Sequence, residues 1–230
     1  MPYGILIDFV SVLIGGVIGA VLKNCFPSDL KRYLPDAFAL AAVFMGISLM
    51  IQLENLPAVV LALIFGTAVG ELLHMERGLV QGLTHMGKRL PGFSDVEQMS
   101  TIISLIVLFC FSGTGVFGAI NEAMTGDHTM LLAKSILDFF TALIFGTTVG
   151  YAVALIAVPM VAVALALFMG GLYILPLISP VMLADFKACG GIITFTAGLK
   201  IAKFKEFRII NMLPSLILVL LISHFWTSIF

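Results

Sequence analysis

From Gly4 to Leu22 the chain reads "GILIDFVSVLIGGVIGAVL", with a single ionisable residue, Asp8. Seven further apolar runs follow, at 37–53, 57–73, 100–120, 131–150, 152–175, 188–202 and 209–228. An α-helix needs about 20 apolar residues to cross a bilayer, and hydrocarbon admits only structures that satisfy their own backbone. Runs of this length and number point to an all-α, polytopic transmembrane helix bundle of about eight spans, one integral membrane domain over residues 1–230. Composition agrees: 60% of residues are hydrophobic and only 11% charged. A soluble fold of this size lacks the interior to hide so much apolar surface. Seven spans is the alternative, because no charge separates the runs that meet at 150–152 and the 188–202 run is short. The first run has no basic residue before it and ends in "KNCF" without a small-residue cleavage site. It therefore reads as a retained span rather than a signal peptide.

Basic residues set the orientation. With eight spans, the loops after spans 1, 3, 5 and 7 carry Lys23, Lys31, Arg32, Arg77, Lys88, Arg89, Lys203, Lys205 and Arg208, nine of the twelve Lys and Arg. The opposite loops carry Glu54, Glu122, Asp127 and Asp185. Both termini are thus expected outside and the basic loops in the cytoplasm. The largest polar segment, 74–99, is expected to lie amphipathically along the cytoplasmic face.

"ALIFGTAVG" at Ala62–Gly70 returns as "ALIFGTTVG" at Ala142–Gly150, matching at eight of nine positions. With "FMG" at 44–46 and "FSG" at 111–113 ahead of them, spans 2–3 and 4–5 read as two copies of one hairpin. A fainter third copy is "GGIITFTAGLKI" followed by "NMLPSLILVLLI". Transporters are often built from such repeats. Gly66, Gly70, Gly146 and Gly150 are spaced four apart in pairs, the small-residue pattern that lets helices approach closely in lipid. Helix packing is the default for them; pore-lining by Thr67 and Thr147 is the alternative.

The most polar stretch inside the apolar chain is Ser112–Phe140, "SGTGVFGAINEAMTGDHTMLLAKSILDFF". Gly113, Gly115 and Gly118 fall within two turns of span 4. They favour either close packing or a broken helix whose free ends hold an ion. "NEAMTGD" is turn chemistry, read as an outer loop in which Asn121, Glu122 and Asp127 are either solvated or an acidic mouth. Lys134 and Asp138 stand four apart in span 5 and can pair, with Ser135 beside them. Charges at this depth usually face a bundle interior or a wet cavity. Lys134 is near enough to the span's end to snorkel, and Asp138 is not. Asp8 reads as interfacial, Glu71 as solvated at the cytoplasmic edge, and Asn211 with Pro214 as a cap and helix start.

The stretch "IVLFCFSGTGVFGAINEAMTGDHTMLLAKSILDFFTALIF" resembles the signature region of the YqgA/YdfK-like bacterial inner-membrane proteins, a class of unknown function. "SVLIGGVIGAVL", "ENLPAVVLALIFGTAVGE" and "ADFKACGGIITFTAGLKI...NMLPSLIL" fit as well, in order along nearly the whole chain. The resemblance implies a multi-span protein of the bacterial cytoplasmic membrane and supplies no catalytic residues.

Several classes are disfavoured. A net charge of −1 gives no basic face for nucleic acid. Cys25, Cys110 and Cys189, and His74, His85, His128 and His224, are scattered without ligand or disulfide spacing, so no metal or cofactor is expected. No hydrolase, zinc-protease, phosphate-loop or dinucleotide motif occurs, and an enzyme is not expected. The expected partners are the lipid bilayer, a small ion or solute, and a second copy of the chain in a homo-oligomer, a dimer by first choice. The functional expectation is a small transporter or channel with Asp138 and Lys134 as its polar centre and Asn121 and Glu122 at the outer access. A membrane assembly or signalling factor using 74–99 is the alternative.

Overall fold

The computed structural model describes residues 1–22, 27–87 and 96–229. Lys23, Cys25, Lys88 and Arg89, and with them part of the 74–99 segment, lie outside the described residues. Among the described residues every regular element is helical. The α-helices are α1 (Tyr3–Val21), α2 (Ser28–Met50), α3 (Leu56–Leu72), α4 (Met75–Gly87), α5 (Val96–Cys110), α6 (Gly113–Thr125), α7 (Thr129–Val149), α8 (Ala152–Leu155), α9 (Ala157–Ile174), α10 (Pro180–Ile201), α11 (Ile209–Met212) and α12 (Pro214–Ile229). Among the described residues seven stretches are long and apolar enough to cross a membrane, and an eighth arises if α3 and α4, bent by 42° at their junction, count as one span. The chain is a multi-pass membrane protein.

Two boundaries differ from the sequence reading. The short 188–202 run is the second half of a longer helix, because Pro180 opens α10 behind Ser179, whose side chain accepts from the Met182 N–H. The region read as an outer loop, 121–127, is mostly helix: α6 runs on to Thr125 and stops at Gly126, whose φ of 73° forms a left-handed cap. A buried helix of this kind keeps its backbone satisfied, whereas a loop at the same depth would not.

The helices form two compact units, residues 1–35 with 77–171, and 36–76 with 172–230. In the first, α1 and α7 run parallel and in close contact. A Cβ at Gly16 would stand 2.6 Å from the Ala154 nitrogen, and one at Gly146 2.8 Å from the Gly16 carbonyl oxygen. Behind them Val12, Phe109, Cys110, Ala142, Val153 and Met160 form a buried apolar cluster. In the second unit α3 packs antiparallel against α11 and α12, with Gly66 against Ser215 and Gly70 against Asn211. Helix α2 packs antiparallel against α10, where a Cβ on Gly191 would meet the Gly46 carbonyl oxygen at 2.7 Å. Lipid tails offer no hydrophobic drive for helix association, so small residues that admit backbone contact carry it.

Gly66, Gly70 and Gly146 therefore pack helices, as the spacing predicts, but they do so within the chain. They are not left as a face for a second copy. Gly150 does not pack: nothing lies near a Cβ placed on it, and its φ of +81° marks it as the residue that ends α7. Sequence spacing cannot separate a glycine chosen for closeness from one chosen for backbone conformation.

Candidate functional site

The first unit contains a helix interruption. Helix α5 ends at Cys110, Ser112 turns extended with ψ of 141°, and its Oγ accepts from the Gly115 N–H at 3.1 Å to start α6. Serine suits this position because its hydroxyl satisfies one of the N–H groups that a new helix leaves open. Gly115 is needed beside it: a Cβ there would lie 2.9 Å from both Ser112 Oγ and Lys134 Cε. The break read from the glycines of span 4 is thus present, and the Lys134 stem passes over it.

Lys134 does not snorkel. It is 3% exposed and lies between two carboxylates. Its Nζ donates to Asp8 Oδ2 at 2.7 Å and also to Asp138 Oδ2 one turn along α7. The Asp138 pairing follows from i,i+4 spacing. Asp8 is 126 positions away in sequence, and no local pattern announces it. Asp8 is 5% exposed, because the close α1–α7 contact carries it into the unit. Two carboxylates against one ammonium leave a formal excess of one negative charge. Desolvating such a group is costly unless other partners complete it. Asp8 Oδ1 is buried without a hydrogen-bond partner.

Beside the cluster is a cavity of about 10 Å³, lined by Asp8, Lys134, Gly115, Cys110, Phe109 and Met160 among others. That is about the space open to one water molecule.

The remaining residues named from sequence divide. Glu122 is not a solvated loop residue but is 2% exposed on α6; its Oε1 accepts from the Gly4 N–H at 2.7 Å, and Oε2 has no partner. It satisfies the start of α1, where an acid is favoured by the helix dipole. Asn121 is also buried; its Nδ2 approaches the Asp127 carbonyl at 3.4 Å and its Oδ1 is unpartnered. Asp127 is exposed and accepts from the Thr129 N–H at 2.9 Å, fixing the turn into α7. Ser135 is buried but turns back to the Leu132 carbonyl at 2.8 Å, so it does not join the ion cluster. Gly113 is the first residue of α6 and is buried there. Among the described residues no set of three or more His, Cys, Asp or Glu could hold a metal ion.

The second unit holds a polar centre that sequence reasoning missed. Asp185, read as a loop acid, is 0% exposed on α10. Its Oδ1 accepts from the Glu54 and Asn55 N–H groups at 3.2 and 2.8 Å, and its Oδ2 from Asn55 Nδ2 and Ser223 Oγ at 3.1 and 2.6 Å. It caps the approach to α3. Asn211 works similarly, but not for its own helix: its Oδ1 accepts from the Glu76 N–H at 2.8 Å, at the start of α4. At that end Arg208 pairs with Glu71 at 2.7 Å, and Lys200 donates to the Phe207 carbonyl at 2.9 Å.

Comparison with known proteins agrees with the resemblance read from the signature stretches. The family model described as "Protein of unknown function (DUF554)" matches residues 3–224. The "Uncharacterized protein YqgA" of Escherichia coli (strain K12) is 42% identical over 234 residues, covering 99% of each chain. The "Uncharacterized membrane protein YdfK" of Bacillus subtilis (strain 168) is 26% identical over 229 residues, covering 94% of this chain and 93% of that one. No solved structure matches.

Proposed function

The chain belongs to the DUF554 family of proteins of unknown function, and on that premise we propose that it is a transporter or channel for a small ion or small solute in the bacterial cytoplasmic membrane. The observation that carries this reading is the buried, charge-imbalanced Asp8–Lys134–Asp138 cluster beside a broken helix and a water-sized cavity. Ionisable groups in membrane segments are costly and tend to mark conduction routes. Broken helices recur where transporters bind their cargo. The cavity is too small for an organic solute, which favours a small ion in this closed arrangement.

Both termini are outside in this reading, with the basic loops in the cytoplasm. The packing within each unit is compatible with that: Glu122 reaches the start of α1, and Asp185 the start of α3, as groups on one shared side would. The two "ALIFGT" copies derive from duplication in this reading. In support, each lies on a helix that packs through glycine against backbone of a neighbouring helix in its unit, Gly66 and Gly70 on α3 and Gly146 on α7.

The test is flux in proteoliposomes under imposed proton, sodium or potassium gradients, followed with lumenal indicator dyes. Wild type is expected to dissipate one of these gradients, and Asp138→Asn to lose at least about tenfold of that rate, the effect of about 1.4 kcal/mol on the rate-limiting barrier. Flux unchanged by Asp138→Asn removes the cluster from the route. A second reading, a membrane assembly or signalling factor, draws on α4, whose residues are largely exposed with open space around Gly78 and Gly82. Flux that survives deletions within 75–87, with no other phenotype, counts against it.

A further inference from the structure

We infer that the Asp8–Lys134–Asp138 cluster is a proton-binding site, in which Asp8 Oδ1 gains and loses one proton through the adjoining cavity. The inference deepens the transport reading and rests on it for what the proton is used for; proton binding itself can be measured without flux.

Charge balance is the first support. With Asp8 and Asp138 as carboxylates and Lys134 as ammonium, the cluster carries a net −1, and one monovalent positive charge brings it to zero. An uncompensated charge inside a membrane bundle is costly to hold. The second support is the free lone pair. Asp8 Oδ2 is taken by Lys134, while Oδ1 is buried with no partner on a residue that is 5% exposed. A carboxylate oxygen in that state is held at a cost that protonation relieves.

The third support is size and ligand number. The cavity that Asp8 lines measures about 10 Å³. A hard divalent cation is usually held by several carboxylates, and among the described residues no group of three or more His, Cys, Asp or Glu is placed to hold one. A proton needs one lone pair and a water to bring it. The step balances simply: hydronium in the cavity gives its proton to Oδ1, leaving a neutral carboxylic acid and a water. Lys134 keeps its bond to Oδ2 throughout.

The groups that face Asp8 are few. Helix α7 contributes Lys134 and Asp138, and α5 contributes Cys110 across the cavity. Among the described residues, α9 lines the cavity with Met160, Ala164 and Leu167, none of them titratable. From α6, Glu122 meets α1 at Gly4, one turn before Asp8, and presents a second unpartnered oxygen, Oε2. His128, exposed, also lies beside Gly4.

The experiment is pH-jump infrared difference spectroscopy on the full chain in lipid nanodiscs, without any gradient. Wild type is expected to show a carboxylic-acid carbonyl band that grows as pH falls. Asp8→Asn abolishes it, Asp8→Glu displaces it but retains it, and Asp185→Asn leaves it in place. Asp8→Glu guards against a folding failure of Asp8→Asn, since it keeps an acid on α1. Absence of any band that follows residue 8, or a band driven by sodium at fixed pH, overturns the inference. An intact band in a protein that shows no flux refutes the transport reading instead.

Discussion

Asp185 in one compact unit and Asp8 in the other are both buried acids on long apolar helices, and their oxygens are used in different ways. Asp185 has four donors, three of them from the Glu54–Asn55 corner and one from Ser223. Its charge is spread over backbone and side-chain dipoles at a helix start, with no capacity left over. Asp8 has one donor, Lys134, which it shares with Asp138, and an oxygen left bare. The first arrangement is complete and therefore holds structure. The second is incomplete, sits beside a cavity, and has room to take up something more. Burial alone does not distinguish a functional acid from a structural one; the count of donors against lone pairs does.

Substitutions can break or sharpen that contrast. The largest expected effect is Lys134→Met, which leaves two buried carboxylates facing each other without their cation. A loss of about 3–5 kcal/mol is expected in reversible unfolding from detergent micelles, and the double variant with Asp138→Asn should recover part of it. Next comes Asp185→Ala, which strips the donors at the α3 start of their acceptor. It should cost about 1–3 kcal/mol by the same measurement. If this variant is as stable as wild type, the second unit's acid is not structural and the contrast fails.

Gly66→Ala and Gly146→Ala follow, each forcing apart helices whose backbones touch, at about 1–3 kcal/mol. Gly170→Ala is their control, since nothing lies near its Cβ position; no loss is expected there. The smallest effect is Arg208→Gln, which breaks the exposed pair with Glu71 and should change stability by no more than about 1 kcal/mol.

Much of the fold was legible because hydrocarbon imposes length, and length is written in the apolar runs. The α7 pair Lys134–Asp138 was legible too, because helical spacing is local. Asp8–Lys134 and Asp185–Asn55, separated by 126 and 130 positions, were not, since no periodicity within one span reports which other span lies against it. "NEAMTGD" misled for a related reason: its residues favour turns, but Glu122 finds the start of α1 and the chain stays helical to Thr125. Tertiary partners decided what local propensity left open. Ser135 looked like part of a polar site because its hydroxyl is visible in sequence and its bond to its own helix is not. The helix break was readable as a glycine cluster, although the residue that makes it is Ser112.

The most direct test of the whole account sets Asp138→Asn beside Asp185→Asn in one proteoliposome assay, with flux expressed per folded molecule and unfolding measured on the same preparations. The account predicts that Asp138→Asn stops flux while its unfolding stays within about 1 kcal/mol of wild type, because the substitution removes the charge excess. Asp185→Asn should unfold more easily yet carry normal flux for each molecule that remains folded. Flux that falls in both variants only in proportion to folded protein would contradict it, and would make both acids scaffolding.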